Sequence, residues 1–138
     1  MAAFPWDFTH DTKHTPWGGD TGFGDIIVLG KNWSAATFVW TFAATLGGAA
    51  VITLVNAAAG TQGVSATYDA AYVHPQTGQV VGATTIRPLI TEATIEALTW
   101  PAVPASLVLI HDLLVTPSGA MQLAYAKGTM TITAGVGD

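Results

Sequence analysis

From Asn32 to Tyr68 the chain carries no Lys, Arg, Asp or Glu. Any fold it adopts must therefore have a surface made largely of Ala, Thr, Gly and Val. The whole chain continues the theme: 9% of its 138 residues are charged and 50% are hydrophobic, against about 25% charged in an ordinary soluble domain. Surfaces of that kind tolerate water but pack readily against protein, so the composition points to a subunit whose neighbours cover much of it. It suits structure better than catalysis.

The length fits one domain with a core of its own. The absence of cysteine removes disulfides, thiolate metal sites and cysteine nucleophiles together. A net charge of −5, with Lys13, Lys31, Arg87 and Lys127 as the only cations, argues against nucleic acid, which needs clustered positive charge to meet phosphates. Met1 to Thr15 lacks the basic start and apolar run of a secretory signal. Phe38 to Gly60 is uncharged and long enough to span a membrane, but Gly47-Gly48, Asn56 and three threonines interrupt it. No membrane span is expected.

Residues 1–22 read as an extended arm, because Pro5, Pro16, Gly18, Gly19 and Gly22 break regular elements. Phe4, Trp6, Phe8 and Trp17 give the arm adhesive points, and the sandwich is expected to begin near Phe23 and to fold without it. Residues 23–138 read as short strands and turns. Asp25 to Gly30 is an apolar run closed by glycine. Thr37 to Phe42 alternates, with Phe38, Trp40 and Phe42 on one face. Gly47-Gly48 predicts a two-residue hairpin to Ala49–Val55. Further strands are expected at Ala66–Val73, Gln79–Ile86, Leu107–Val115, Met121–Ala126 and Gly128–Ala134, with a turn at His74–Gly78 and a type I turn at Thr116–Gly119. One helix is expected near Thr91 to Leu98, with Thr91 as cap, an Ile90–Ile95 staple, and Pro101 and Pro104 beyond it. The pattern predicts an all-β antiparallel sandwich.

Gly19-Asp20-Thr21 before the first strand resembles the "GDT" opening of the immunoglobulin-like domain in phage baseplate upper proteins and related tail-fibre adaptors. Trp33-Ser34-Ala35-Ala36-Thr37-Phe38 resembles their next segment. Leu109 to Val115 resembles their "YDL-v" strand, with His111 in place of the usual aromatic. Lys127 to Thr133, ending in Gly135-Val136, resembles their closing "G-x-(v/f)-x-v" strand. The resemblance covers about residues 19 to 136 and rests on the order of the landmarks. It implies an immunoglobulin-like β-sandwich in a virion protein near the tail tip, made in the host cytoplasm. The chain has no coiled coil or receptor-binding region after the sandwich, which favours an adaptor or collar role over direct host recognition.

Candidate chemical sites have plainer explanations. Asp7, His10, Asp11 and His14 have helical metal-ligand spacing, yet Pro5 and Pro16 bracket them, so a solvated or partner-bound arm is the better reading. His111-Asp112 looks like two members of a catalytic triad, but strand neighbours point to opposite faces; a structural pair, with Asp112 bonding backbone or Lys127 at a sheet edge, is expected. Ser34, Ser65, Ser106 and Ser118 sit in no nucleophile-elbow pattern. Glu92 and Glu96 share one short helix and cannot flank a sugar from two sides. No enzyme activity, cofactor or metal is expected.

Of the tryptophans, Trp40 is expected in the core and Trp100 beside Pro101. Phe4, Trp6, Phe8, Trp17 and Trp33 are the candidate partner-binding residues. The function expected is a non-enzymatic structural virion subunit of a tailed phage, in a tail-tip, baseplate or fibre-adaptor position, binding copies of itself and other tail proteins. The alternatives are a head decoration or head–tail connector protein, or a carbohydrate-binding module using a row of exposed aromatics on a host-surface glycan.

Overall fold

A computed structural model describes residues 4–10, 12–100 and 106–133. The described chain is mostly β, with one short α-helix, and forms two sheets facing each other across a shared core. The first sheet contains β1 (Phe4–Pro5), β2 (Phe8–His10), β5 (Thr37–Ala43), β6 (Ala50–Val55), β9 (Ser106–Thr116) and β10 (Leu123–Thr133). Its order is β1-β10-β9-β5-β6, with β2 also on β10. The second contains β3 (Trp17–Gly18), β4 (Ile26–Leu29), β7 (Gly63–Asp69) and β8 (Ala83–Ile90). Here β8 is central, with β7 on one side and β4 and β3 end to end on the other.

Two features depart from the expected antiparallel sandwich. The first sheet is mixed, because β1 and β2 run parallel to β10. Phe4–Pro5 and Phe8–His10 are therefore strands of the first sheet, and Trp17–Gly18 is a strand of the second. The expected boundary between an arm at 1–22 and a sandwich from 23 does not describe this chain, since the described part of the arm is woven into both layers. Backbone pairing is the reason: strands need no periodic pattern of their own when an open edge offers amides to pair with.

The alternation in β5 does what it predicts, burying Phe38, Trp40 and Phe42 while Val39 and Thr41 face outward. Leu109, His111, Leu113 and Val115 on β9 and Ala126, Met130 and Ile132 on β10 join them; Ile26, Val28, Val64, Ile86 and Ile90 come from the opposite sheet. Pro88 interrupts the central strand β8 and donates no ladder bond. It sits where β4 has ended (Ile86 pairs Ile26) and β3 has not begun (Leu89 pairs Gly18), a gap that tolerates a missing N–H.

Several boundaries move. The hairpin around Gly47-Gly48 is a loop over residues 44–49; only Gly47 has positive φ, at 74°, and Gly48 N–H closes a turn onto Thr45 O. The turn after β9 is one residue later than expected, with Ala120 N–H donating to Pro117 O and Gly119 at φ 73°, so glycine fills a positive-φ corner rather than the end of a type I turn. The expected strands at Met121–Ala126 and Gly128–Ala134 are one long strand, β10, with an irregularity between Ala124 and Ala126. Ala66–Val73 and Gln79–Ile86 are displaced to Gly63–Asp69 and Ala83–Ile90, and Val73 and Val80 form an isolated bridge closing the His74 turn. The helix α1 spans Glu92–Glu96; Thr91 Oγ1 caps it by accepting from Thr94 N–H, and Ile90 and Ile95 are both fully buried. Residues 38–60, the membrane candidate, are mainly β5 and β6. No helix among the described residues is long and apolar enough to cross a membrane.

Candidate functional site

The N-terminal segment reaches β10 in unbroken register, Phe4 opposite Ala126 and Phe8 opposite Met130. Between those points the ladder is altered. Trp6 N–H donates to Lys127 O at 2.8 Å, but the Trp6 carbonyl turns inward and accepts from His111 Nε2 at 2.7 Å. The vacated place is taken by the Asp7 carboxylate, which accepts from Thr129 N–H at 2.8 Å and from its hydroxyl at 3.2 Å. Gly128 makes this possible, because a Cβ there would collide with the Trp6 carbonyl.

Behind the segment, Trp40 Nε1–H donates to His111 Nδ1 at 3.1 Å. An indole N–H only donates and a carbonyl only accepts. His111 is thus neutral, with its proton on Nε2 and both nitrogens satisfied. Burial lowers its pKa below the usual histidine value, outweighing the opposing pull of the Trp6 carbonyl, Asp7 and Asp112. His111 and Asp112 do face opposite sides of β9, as expected. However, β9 lies between β10 and β5, not at an edge, and His111 is a core residue that ties the N-terminus to Trp40. The alternation Leu109, His111, Leu113 carried that signal in the sequence.

The five candidate partner-binding residues separate into two kinds. Trp17 is 1% exposed, and Trp33 is 9% exposed. Trp33 meets Tyr125 edge-on at 5.3 Å, and its backbone N–H donates to Thr84 Oγ1. Neither is free to meet a partner, because each fills the core of its own chain. Phe8 and Trp6 are partly buried against that core: Phe8 stacks on Trp17 at 4.8 Å, and Trp6 lies 5.9 Å from Trp40. Phe4 is 37% exposed, edge-on to Tyr125. The aromatics form one continuous cluster and not an outward-facing row.

The metal candidates disperse. Asp7 holds Thr129, His10 is buried and donates to Thr15 O at 2.8 Å, and His14 donates to Glu96 at 2.9 Å; Asp11 lies outside the described residues. No group of three or more potential metal ligands occurs among the described residues. Trp100 donates to Ile95 O and lies under Lys13 at 5.1 Å; its expected neighbour Pro101 lies outside the described residues.

The outer face of the first sheet is the second notable surface. It presents Val39, Thr41 and Ala43 from β5, Val51, Thr53 and Val55 from β6, and Val108, Ile110 and Leu114 from β9. Thr129 and Thr131 from β10 complete it. The charged residues of these four strands on this face are Asp112 and Lys127, which are register partners, and the Asp7 carboxylate borders them where it holds Thr129. A hollow of about 250 Å³ lies there under the β5–β6 loop, lined by Ile110, Asp112, Lys127 and the 88%-exposed Leu46 among others. The second sheet is more polar outside. Its shallower hollow of about 150 Å³ contains Arg87, which Asp25 holds at 2.8 Å; that hydrogen bond and charge raise the guanidinium pKa.

No known protein family model matches the chain, and no curated protein matches it either.

Proposed function

We propose that the chain is a non-enzymatic structural subunit with an immunoglobulin-like fold that assembles through the outer face of its first sheet, in the tail tip, baseplate or fibre adaptor of a tailed phage. The observation that carries the assembly reading is that face: four adjacent strands of Val, Thr, Ala, Ile and Leu with one acid and one base between them. Apolar faces of this breadth mark protein contacts more often than solvent. The virion setting rests on the ordered sequence landmarks from Gly19 to Val136.

The immunoglobulin-like reading is supported by strand order. Reading β4, β5, β6, β7, β8, β9 and β10 as B, C, C′, D, E, F and G reproduces G-F-C-C′ against B-E-D. Trp40 then occupies the buried tryptophan position of strand C, and His111 on strand F stands beneath it where antibody domains place a disulfide. The departures are the missing cysteines and a β3 that pairs with β8.

Head decoration or connection fits the same face. Carbohydrate binding is disfavoured, since Trp17, Trp33 and Trp40 are interior. The test is to charge the face with Val55→Lys and Val108→Lys, both about half exposed. The purified variant should keep its melting temperature within about 5 °C, as each surface change usually costs about 0.5 kcal/mol or less, while sedimentation shows smaller particles than wild type. Unchanged particle size would refute assembly through this face.

A further inference from the structure

We propose that two copies of this chain meet face to face about a two-fold axis running along the seam between β9 and β10, with Asp112 of each copy paired to Lys127 of the other. The proposal rests on the reading of the first sheet's outer face as the assembly surface and adds the register in which two copies meet.

The seam is built of two unlike rows. On β9, Leu109, His111 and Leu113 point into the core, as Ala126 and Met130 do on β10. Alternation therefore sends Ile110, Asp112 and Leu114 outward from β9. Their register partners on β10 share the same face: Thr129 beside Ile110, Lys127 beside Asp112, and Ala124 beside Leu114. An acid and a base thus sit abreast in the middle of the seam, flanked on either side by a large aliphatic side chain on β9 abreast of a small side chain on β10. A two-fold axis along the seam lays β9 of one copy over β10 of the other at the same height. Each large side chain then stands over a small one, and each acid over a base. An isologous contact needs a patch that matches itself in this way, and layers interdigitate when large residues face small ones. Sheets stacked face to face keep their strands within about 30° of one another, which an axis along the strands satisfies.

The two charges have no such match within their own chain. Asp112 and Lys127 are both exposed, yet they close no ion pair with each other, and neither side chain makes a hydrogen bond among the described residues. No other charged residue lies in β5, β6, β9 or β10, so two copies meeting out of register would bury both charges against Val, Ile or Thr, at a cost. The neighbouring Asp7 carboxylate is already held by the Thr129 amide and hydroxyl. Complementary charge therefore selects the register, while the aliphatic side chains around it supply the buried area.

Charge reversal tests the register. Asp112→Lys sets lysine opposite lysine across the axis, and Lys127→Asp sets acid opposite acid. Each single variant should keep the melting behaviour of wild type but self-associate at least about tenfold more weakly, because juxtaposed like charges oppose contact. An equimolar mixture of the two should recover the wild-type particle size in sedimentation, since opposite charges then meet at every position. The double variant Asp112→Lys/Lys127→Asp should recover it alone. Misfolded chains would not recover on mixing. If both single variants assemble as wild type does, or if neither the mixture nor the double variant recovers, this register is refuted; dissociation of the Val55→Lys/Val108→Lys variant would still leave the face as the assembly surface. A wild type that stays monomeric at every concentration overturns both readings.

Discussion

Replacing His111 with leucine should destabilise the protein mainly through the partners it abandons. The Trp40 indole N–H is completely buried and its bonded acceptor is His111 Nδ1; the Trp6 carbonyl loses its inward donor as well. Each buried polar group left without a partner costs about 1–3 kcal/mol, so the pair costs about 2–6 kcal/mol, lessened where water reaches Trp6. Adding Trp40→Phe to His111→Leu removes the orphaned donor, so the double variant should be less unstable than the sum of the singles. The same site sets a pH dependence. His111 in the folded chain has a lowered pKa, whereas in the unfolded chain it takes a proton near pH 6.5. Its stabilising contribution is thus complete above about pH 6.5 and is lost as pH falls toward the folded value, with a slope of at most about 1.4 kcal/mol per pH unit. Urea unfolding of wild type, both single variants and the double variant at pH 7.5 and 5.0 measures all of this. A His111→Leu chain within about 0.5 kcal/mol of wild type, with the same pH dependence, would refute the network.

Three further outcomes follow from the packing. Gly128→Ala should cost about 1–3 kcal/mol and make the bond after Trp6 more sensitive to limited proteolysis, because its Cβ meets the Trp6 carbonyl; equal protection in both chains would contradict this. Trp17→Ala should lower stability by about 3–5 kcal/mol, as read by chemical denaturation, since Trp17 is a core residue of its own chain. A loss of assembly with unaltered stability would instead restore it as a contact residue. Thr91→Ala should remove the helix cap and about 1 kcal/mol, measurable as a fall of a few degrees in Tm.

Much of the β architecture was legible because strands with one buried face write a period of two into the sequence. Phe38, Trp40 and Phe42 announced β5, and Leu109 to Val115 announced β9. The helix was legible because capping is local: Thr91, Glu92 and the Ile90–Ile95 pair lie within six residues. Strand ends were less so, since the positions of β7 and β8 depend on pairing with each other rather than on their own composition.

What only the tertiary structure decided is the fate of the N-terminus. Proline, glycine and aromatics mark a segment that cannot fold alone, and the sequence by itself determined that it must lie on something. It could not say on what, because parallel addition to β10 depends on Gly128, Thr129 and His111, which lie more than 100 positions away. Sequence separation also hid the burial of Trp17 and Trp33: such a tryptophan reads as adhesive until the strand or ring that covers it is known, here Ile90 beside Trp17 and Tyr125 against Trp33. Local chemistry determines which groups need partners, and long-range packing decides which partners they receive.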